Sequence, residues 1–378
     1  MTAHIPSGTE ESTHPAEGPE WDRLEQVQNF LAKRLRQHDA GKLLVASEVF
    51  KQLHALLETP TPQAAGLRQD EYAVSDLLES YWEHISKRKQ TVSVGLTSLN
   101  TLLGGGLEPG RLLILLGAPG GGKTTLANQM AEHLSSHGRP VLYVTSEDSP
   151  YTLVAKTLAR RAQISYTAVL RGYESERARI TEAMTDYAAT ASSFLLRYLD
   201  ASAGSDIEKI RQRAICHFEQ YKEQGQGVLV IDYLQRLARG QAAFRNGNLD
   251  LRHAVTVLTE QLRAVACELD CTVVALASQN RASGYSAAGS ALATAKESGD
   301  IEYTADVILA LGDDEQRLLS SSHLRPKVLR VDKNRQGDTG ILALDWYPER
   351  QLFTEAAKEQ EQKDGLVEAP TGRKRGRC

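Results

Sequence analysis

The sequence predicts an α/β protein built around a central, mostly parallel β-sheet. Between Val92 and about Phe353, short apolar runs bounded by Gly or Pro alternate with amphipathic helical segments. This rhythm is typical of strands joined by crossover helices. The runs predicted as strands are Leu112–Leu116, Val141–Thr145, Phe194–Leu199, Val228–Ile231, Val273–Leu276, Val307–Leu311 and Val328–Val331.

Composition excludes several classes of protein. The 378 residues are 41% hydrophobic and 24% charged, values typical of globular proteins, and the net charge of −4 argues against a polybasic nucleic-acid binder. There is no apolar stretch of the roughly 20 residues that a membrane span needs, and residues 1–20 contain no apolar signal segment. Four cysteines do not make a disulfide framework. We therefore expect a cytoplasmic protein with no membrane association.

The chain divides into six predicted segments. The polar, proline-containing start and the charged end are typical of disorder. Apolar residues at helical spacing before and after a Thr-Pro-Thr-Pro break predict a small helical N-terminal region and a separate helix. In order, the segments are a disordered leader (1–20), a helical hairpin (21–58), a linker (59–70), a linker helix (71–90), the α/β domain (91–355) and a disordered tail (356–378).

A glycine-rich motif follows the first strand. Residues 117–124 fit G-x-x-x-x-G-K-[ST] between a strand and a helix predicted from Thr124 to Leu134, where backbone N–H groups can surround phosphates. Lys123 would neutralise the β- and γ-phosphates, and the Thr124 hydroxyl would bind Mg²⁺. The motif predicts ATP and Mg²⁺ as cofactors. The predicted nucleotide-binding residues are Gly117, Pro119, Gly120, Gly121, Gly122, Lys123, Thr124 and Thr125.

Two further strands end in acidic residues. Asp232 follows Val228–Ile231 and would hold Mg²⁺, because ligands bind at the carboxyl edge of open parallel sheets. Glu147 follows Val141–Thr145 and is the predicted catalytic carboxylate that orients the attacking water. The neighbouring Asp148 is the alternative, and a surface role for Glu147 stays open on this pattern alone.

Several segments in order resemble the C-terminal motor domain of DnaB-type replicative helicases, a RecA-like P-loop ATPase. The resemblance extends from about Glu71 to Phe353. The segments that carry it are Val94–Asn100 with Gly104–Gly110, Ser146–Ser149, Ile231–Gln235, Ala277–Arg281, Lys296–Glu302 with Ala305–Val307, and Lys333–Gly337 with Thr339–Gly340.

The resemblance implies additional catalytic residues. Gln279, which follows an apolar strand, would sense the γ-phosphate through its amide. Arg335, with Lys333 beside it, would reach the γ-phosphate of a neighbouring subunit, a task suited to a permanently charged, bidentate guanidinium. An arginine that completes the site of a neighbouring subunit in this way is called an arginine finger, and it requires a closed head-to-tail ring. The family implies six subunits.

The resemblance also implies contacts with single-stranded DNA. Lys296, Glu297 and Gly299 match the positions that grip the DNA backbone in the family's central channel, with Lys296 where the family typically has Arg. Arg236, Arg239 and Arg245 follow Asp232 in a predicted second loop. These three arginines would either line the channel or be ordinary solvated loop charges, and the sequence is equally consistent with both.

The N-terminal quarter departs from the family. The linker helix would pack on an adjacent subunit through Leu78, Tyr81 and Trp82, although packing on its own domain is the alternative. Segment 21–58 is smaller than the family's usual N-terminal domain, so contacts with a loader or primase through it stay open. A helicase of a plasmid, phage or mobile element with its own adaptor fits this arrangement.

These observations favour an ATP-dependent ring helicase that translocates 5′→3′ on single-stranded DNA during replication. A RecA-family ATPase of the RadA or KaiC kind, acting in recombination or as an ATP-timed switch, is the first alternative. A DNA-loaded scaffold whose ATPase controls partner binding is the second.

Overall fold

The computed structural model describes residues 27, 28, 30–36, 49, 74–88, 91–241, 247, 250–278, 299–317 and 323–357. The leader, the linker and nearly all of the tail lie outside them, and the residues described within the predicted hairpin are helical. The chain divides into two units, residues 1–84 and 85–378.

Within the predicted linker helix, the structure describes helix α1 from Val74 to Arg88, and residues 71–73, 89 and 90 lie outside the described residues. It leaves large apolar side chains exposed. Leu78, Tyr81 and Trp82 are 69%, 50% and 76% accessible.

The rest of the described chain alternates strands and helices. The strands are β1 (Leu112–Gly117), β2 (Val141–Thr145), β3 (Leu196–Asp200), β4 (Val228–Asp232), β5 (Thr272–Ser278), β6 (Val307–Asp313), β7 (Arg325–Asn334), β8 (Gly340–Tyr347) and β9 (Leu352–Glu355). The helices are α2 (Thr97–Leu102), α3 (Lys123–Ser136), α4 (Pro150–Ala162), α5 (Tyr166–Arg171), α6 (Arg177–Ala188), α7 (Ser192–Leu195), α8 (Ile207–Gln220), α9 (Leu234–Gly240), α10 (Leu251–Glu268) and α11 (Gly299–Thr304).

The strands form one sheet in the order β3-β2-β4-β5-β1-β6-β7-β8-β9. The first six strands in this order, β3, β2, β4, β5, β1 and β6, pair with their neighbours in parallel. Strands β7, β8 and β9 extend the sheet in antiparallel fashion. The predicted fold class, a mostly parallel sheet with helices, is confirmed.

Two details of the strand prediction were wrong. The predicted strand Phe194–Leu199 begins at Leu196, because residues 192–195 form the short helix α7 and Phe194 is exposed. Strands β8 and β9 were not predicted. Strand β8 does carry an apolar run, Ile341–Leu344, which the prediction missed, and in the structure its buried positions alternate with more exposed ones.

Hydrophobic cores cover both faces of the sheet. Leu113 and Leu115 of β1 pack on the face that carries α3, whereas Leu112 and Ile114 pack on the face that carries α10. Burial on both faces explains why the parallel strands are almost entirely apolar. The parallel pairing of β1, β2, β4 and β5 places their carboxyl ends together at one edge, where the predicted site residues begin. In the described part of the chain, no helix has both the length and the apolar character required to cross a membrane.

Candidate active site and nucleotide cleft

A cleft of about 350 Å³ lies at the carboxyl edge of the parallel strands. It is formed where β1 ends, the turn of residues 118–122 follows and α3 begins. Predicted residues that line it are Pro119, Gly120, Gly121, Gly122, Lys123, Thr124, Thr125, Glu147 and Asp232. The structure thus brings together the phosphate loop and the acids from two other strands.

The Lys123 side chain is folded back onto the loop. Its Nζ donates to the carbonyl oxygens of Gly117 at 2.8 Å and Ala118 at 3.0 Å. Burial lowers the pKa of Lys123, and the nearby carboxylates of Asp232 and Glu147 oppose that shift. The amine therefore lies within the cleft among groups of opposite charge, where a bound polyphosphate would favour its charged form.

Gly122 occupies a position that other residues do not tolerate. It precedes α3 with φ of +97°, and a Cβ there would lie 2.8 Å from Cζ of Phe353. Gly122→Ala should therefore destabilise the nucleotide-free protein, since the left-handed conformation alone costs about 1–2 kcal/mol. Gly120→Ala is the matched control, because Gly120 also has positive φ but no atom within 4 Å of a Cβ. Chemical denaturation should show the larger loss for Gly122→Ala, and equal losses would contradict the steric argument.

Asp232 is buried at the end of β4 and hydrogen-bonded. The hydroxyl of Tyr143 donates to its Oδ2 at 2.7 Å, and the Thr124 hydroxyl also donates to the carboxylate. Burial raises the pKa of Asp232, and these two hydrogen bonds oppose the rise. A hydroxyl and a carboxylate oxygen side by side are hard ligands of the kind Mg²⁺ prefers. The residues present therefore fit a Mg²⁺ ion held by Thr124 and Asp232.

Tyr143→Phe should weaken Mg²⁺-nucleotide binding by about tenfold, since a hydrogen bond to a charged group contributes roughly 1.5–3 kcal/mol. Loss of the donor raises the pKa of Asp232 further, so protons compete better with Mg²⁺. The defect should consequently be larger at pH 6 than at pH 8, measured by calorimetric titration with Mg²⁺-ADP. Tyr198→Phe is the matched control, because Tyr198 lies beside Tyr143 on the neighbouring strand β3 and its hydroxyl accepts a hydrogen bond from the side-chain amide of Asn128 on α3. A defect independent of pH would argue against this role.

Glu147 and Asp148 differ in their partners. The Asp148 carboxylate forms an ion pair with Lys156 of α4 at 2.8 Å. Among the described residues, the structure gives the exposed Glu147 carboxylate no hydrogen-bond or ion-pair partner. A carboxylate that faces the cleft unpaired can accept a hydrogen bond from water, so the geometry favours Glu147 over Asp148 as the water-orienting group.

Sequence reasoning missed Lys156, a second cation that lines the cleft. Helix α4 carries it there. The helix begins at Pro150, and the Ser149 side chain accepts a hydrogen bond from the Thr152 N–H as its N-cap. The sequence did contain a signal for this residue, because Ser149-Pro150 is a typical helix start. A helix that begins there has Lys156 on its second turn, above Asp148. Trp346 and Gln351, which also line the cleft, were missed because β8 and β9 were not predicted.

The end of β5 is fixed by Gln235. The Gln235 amide accepts from the Ser278 N–H at 3.2 Å and donates to the Ser278 carbonyl oxygen at 3.1 Å. Ser278 lines the cleft. Gln279, the predicted γ-phosphate sensor, is the next residue and lies outside the described residues.

Arg335 and Lys333 lie at the other edge of the sheet. Strands β1 and β6 run in parallel with Leu113 beside Val307, and Val307 pairs with Asn334 of β7. The residues around Asn334 therefore lie where β1 begins, and the phosphate loop lies where it ends. Six residues of strand separate these edges by about 17 Å. The cleft of one chain and its own Arg335 are not brought together.

Two neighbouring groups hold the Arg335 guanidinium. Its Nη2 donates to the Tyr303 carbonyl oxygen at 2.8 Å, and its Nη1 lies 3.6 Å from the buried Asp306 carboxylate. Lys333 Nζ also donates to the Tyr303 carbonyl oxygen, at 3.4 Å. Tyr303 belongs to α11, which directly follows the segment predicted to bind DNA.

The predicted DNA-binding residues are only partly described. Arg236 and Arg239 lie on helix α9 and not in a loop as predicted, because the chain turns into a helix directly after Tyr233. Both are exposed and line a cavity of about 410 Å³ beside residues 201–204. Gly299 begins α11. Arg245, Lys296 and Glu297 lie outside the described residues.

Comparisons with known proteins agree with this arrangement. The chain is 27% identical over 335 residues to the replicative DNA helicase DnaB of Haemophilus influenzae, covering 85% of this chain and 68% of that protein. It is 27% identical to DnaB of Pasteurella multocida, covering 72% of this chain and 57% of that protein. The chain thus spans between about half and two thirds of the length of these relatives.

Solved structures show the same fold. One of them, a separately solved ATPase domain, superposes with a TM-score of 0.63 at 21% identity, covering 76% of this chain and all of that domain. A DnaB-like replicative helicase, whose structure was described with its interactions with primase, has a TM-score of 0.60 at 19% identity and covers 89% of this chain and 77% of that one.

The sequence profile of the DnaB-like helicase C-terminal domain matches residues 91–355, which is most of the chain. This match favours the DnaB-type interpretation over the RadA- or KaiC-like alternative. The chain therefore belongs to the family of DnaB-like helicase C-terminal domains, the ATP-hydrolysing motor domains of replicative DNA helicases.

Proposed function

We propose that this protein is the motor of a ring-shaped DNA helicase that hydrolyses Mg²⁺-ATP between adjacent copies and translocates 5′→3′ on single-stranded DNA. One observation carries the proposal. The phosphate loop and Arg335 lie at opposite edges of the same sheet, so one chain alone does not assemble both halves of the site. Copies arranged head to tail would place Arg335 of each against the cleft of the next, and a closed ring satisfies every copy.

Within the cleft, each residue has a proposed task. Lys123 leaves the carbonyl oxygens of Gly117 and Ala118 and binds the β- and γ-phosphates. Thr124 and Asp232 hold Mg²⁺, which neutralises charge on those phosphates when bound. Glu147 accepts a hydrogen bond from the attacking water and aligns it with the γ-phosphorus. The Thr125 hydroxyl is already bonded to Gln351 at 2.8 Å, so Thr125 would contribute through its backbone N–H.

Gln279 and Arg335 would complete the site on the γ-phosphate side. Gln235 holds the strand end from which Gln279 extends, which supports the sensing role of that amide. Arg335 would stabilise charge on the γ-phosphate of the adjacent copy, with Lys333 as a second cation. In a single chain both cations are held by the carbonyl oxygen of Tyr303, which must release them when the neighbour binds ATP.

The contact at Tyr303 supports a link between DNA and hydrolysis. Helix α11 continues from the segment that holds Lys296, Glu297 and Gly299, the proposed contacts to the DNA backbone. A shift of that segment on DNA would move the carbonyl that holds Arg335. Arg236 and Arg239, exposed on α9 directly after the Asp232 strand, would provide further phosphate contacts. A chain with a net negative charge can bind DNA in this way, because every copy in a ring contributes the same few cations to the central channel.

The exposed apolar side chains of α1 support contact with an adjacent copy, as proposed for Leu78, Tyr81 and Trp82. Primase is a proposed partner, because a DnaB-like structural neighbour was described with its interactions with primase. Residues 21–58 would provide the docking segment for primase or a loader. Deleting residues 1–62 would then abolish recruitment and leave unwinding intact.

Forked DNA tests the proposal directly. The full chain should unwind a fork that has a 5′ single-stranded tail, and only with hydrolysable ATP. A fork with only a 3′ tail serves as the polarity control. Mass photometry with ATP and single-stranded DNA should show a closed assembly of six copies. ATPase activity without unwinding of any fork would contradict the helicase assignment and favour the scaffold alternative.

A further inference from the structure

The indole N–H of Trp346 is a polar group in the nucleotide cleft for which the proposed mechanism has no use. Trp346 lies on β8 and lines the cleft, with only 6% of its surface accessible. Within the described part of the chain its Nε1 is buried and has no hydrogen-bond partner. Buried donors without a partner are rare, and one at a ligand cleft is explained most simply by an acceptor on the ligand.

The packing around Trp346 fixes the ring and, among the described residues, provides no acceptor for its N–H. Its plane is stacked on Phe353 with centroids 5.6 Å apart and an interplanar angle of 3°. The ammonium of Lys327 lies 5.1 Å from the ring centroid and is held by Asp313. Cε2, the carbon bonded to Nε1, would lie 3.4 Å from a Cβ placed on Gly122. The N–H edge is therefore next to the first turn of α3.

The order of strands shows which part of a nucleotide this edge faces. Glu147 comes just after β2, and Asp232 and Ser278 end β4 and β5; these three strands lie on one side of β1. Trp346 and Gln351 belong to the β8–β9 hairpin on the other side of β1. With the β-phosphate in the loop and the γ-phosphate towards Glu147, the α-phosphate and ribose must extend towards the hairpin.

We propose that the Trp346 indole N–H donates a hydrogen bond to the α-phosphate or ribose of the bound nucleotide. This assignment rests on the proposed ATP-binding function of the cleft. The contact ties the β8–β9 hairpin to the nucleotide, and β7 ties the same hairpin to Arg335. It also leaves the γ-phosphate side untouched, so it should contribute equally to ATP and ADP binding.

Trp346→Phe tests the contact, because Phe keeps an aromatic ring against Phe353 and removes the N–H, together with one ring of the indole. Mg²⁺-ADP should bind the variant about tenfold more weakly in calorimetric titration, the expected size of one lost hydrogen bond to a phosphate. The same titration with 2′-deoxy- and 3′-deoxy-ADP separates the two acceptors. A loss that disappears with one deoxynucleotide assigns the ribose hydroxyl, and a loss equal for all three assigns the α-phosphate.

Tryptophan emission gives a readout that does not depend on affinity. Mg²⁺-ADP should change the emission of the full chain, and Trp346→Phe should abolish that change, leaving only Trp21 and Trp82 to report. Unchanged ADP affinity in a folded variant, or an emission change that persists in it, would overturn the proposal. Failure of the unsubstituted chain to bind Mg²⁺-ADP would instead overturn the proposed ATPase function.

Discussion

Glu147→Gln should lower the rate of ATP hydrolysis at saturating ATP by at least about 100-fold, the usual size of a lost general base. Gln keeps the volume and hydrogen-bonding shape of the side chain but cannot accept a proton from the attacking water. Nucleotide binding should be nearly unchanged, because Glu147 follows β2 at the cleft rim and the phosphates are held by the loop and α3. Phosphate release and calorimetric Mg²⁺-ADP titration measure the two quantities separately.

Asp148→Asn is the matched control for this variant. Asp148 is adjacent in sequence and also lines the cleft, but its carboxylate is engaged by Lys156. Its replacement should reduce turnover less than Glu147→Gln does, and it should not weaken nucleotide binding, because it removes a negative charge from the cleft and frees the Lys156 ammonium. A larger catalytic loss for Asp148→Asn would transfer the water-orienting task to Asp148.

The parallel half of the sheet could be predicted from the sequence because its strands are buried on both faces. Val228–Asp232, for example, has no exposed residue, so the apolar run and the strand nearly coincide. Such strands pair in parallel, so their carboxyl ends lie at one edge, which is why the sequence could place Lys123, Glu147 and Asp232 together. Strand β8 also contains four apolar residues in a row, Ile341–Leu344, but its buried positions alternate with more exposed ones, so this run does not mark a strand buried on both faces.

The residues that reach the cleft from outside these strands were not predicted, although the helix start at Ser149 and Pro150 held a signal for Lys156. Lys156 enters from the second turn of α4, and Trp346 enters from an antiparallel strand far along the sequence. Tyr143 looked like a core residue of β2, and only the pairing of β2 with β4 shows that its hydroxyl meets Asp232. Such contacts depend on strand order, and the strand order is not encoded in any local pattern.

Arg335→Ala should reduce DNA-stimulated ATP hydrolysis by about 10³-fold, the lower range for loss of an arginine finger. The ring itself should persist, because Arg335 is about half exposed and its guanidinium is held by Tyr303 and Asp306 of its own chain. Steady-state ATPase and mass photometry test the two statements. Arg335→Lys keeps the charge but loses the bidentate fork, so it should recover only a small part of the activity.

Subunit mixing distinguishes a finger that acts between copies from one that acts within a copy. Lys123→Ala and Arg335→Ala should each be inactive alone. In a mixed ring, an intact phosphate loop from an Arg335→Ala copy can meet an intact finger from a Lys123→Ala copy. With equal amounts and random order, about one quarter of the interfaces are then complete, so roughly that fraction of activity should return. A finger acting within its own chain gives no active combination, because every copy would carry one of the two defects. Recovery of ATP hydrolysis on mixing would therefore mean that Arg335 acts on the cleft of another copy. This is the result expected from the strand register, which separates Arg335 from the phosphate loop of its own chain.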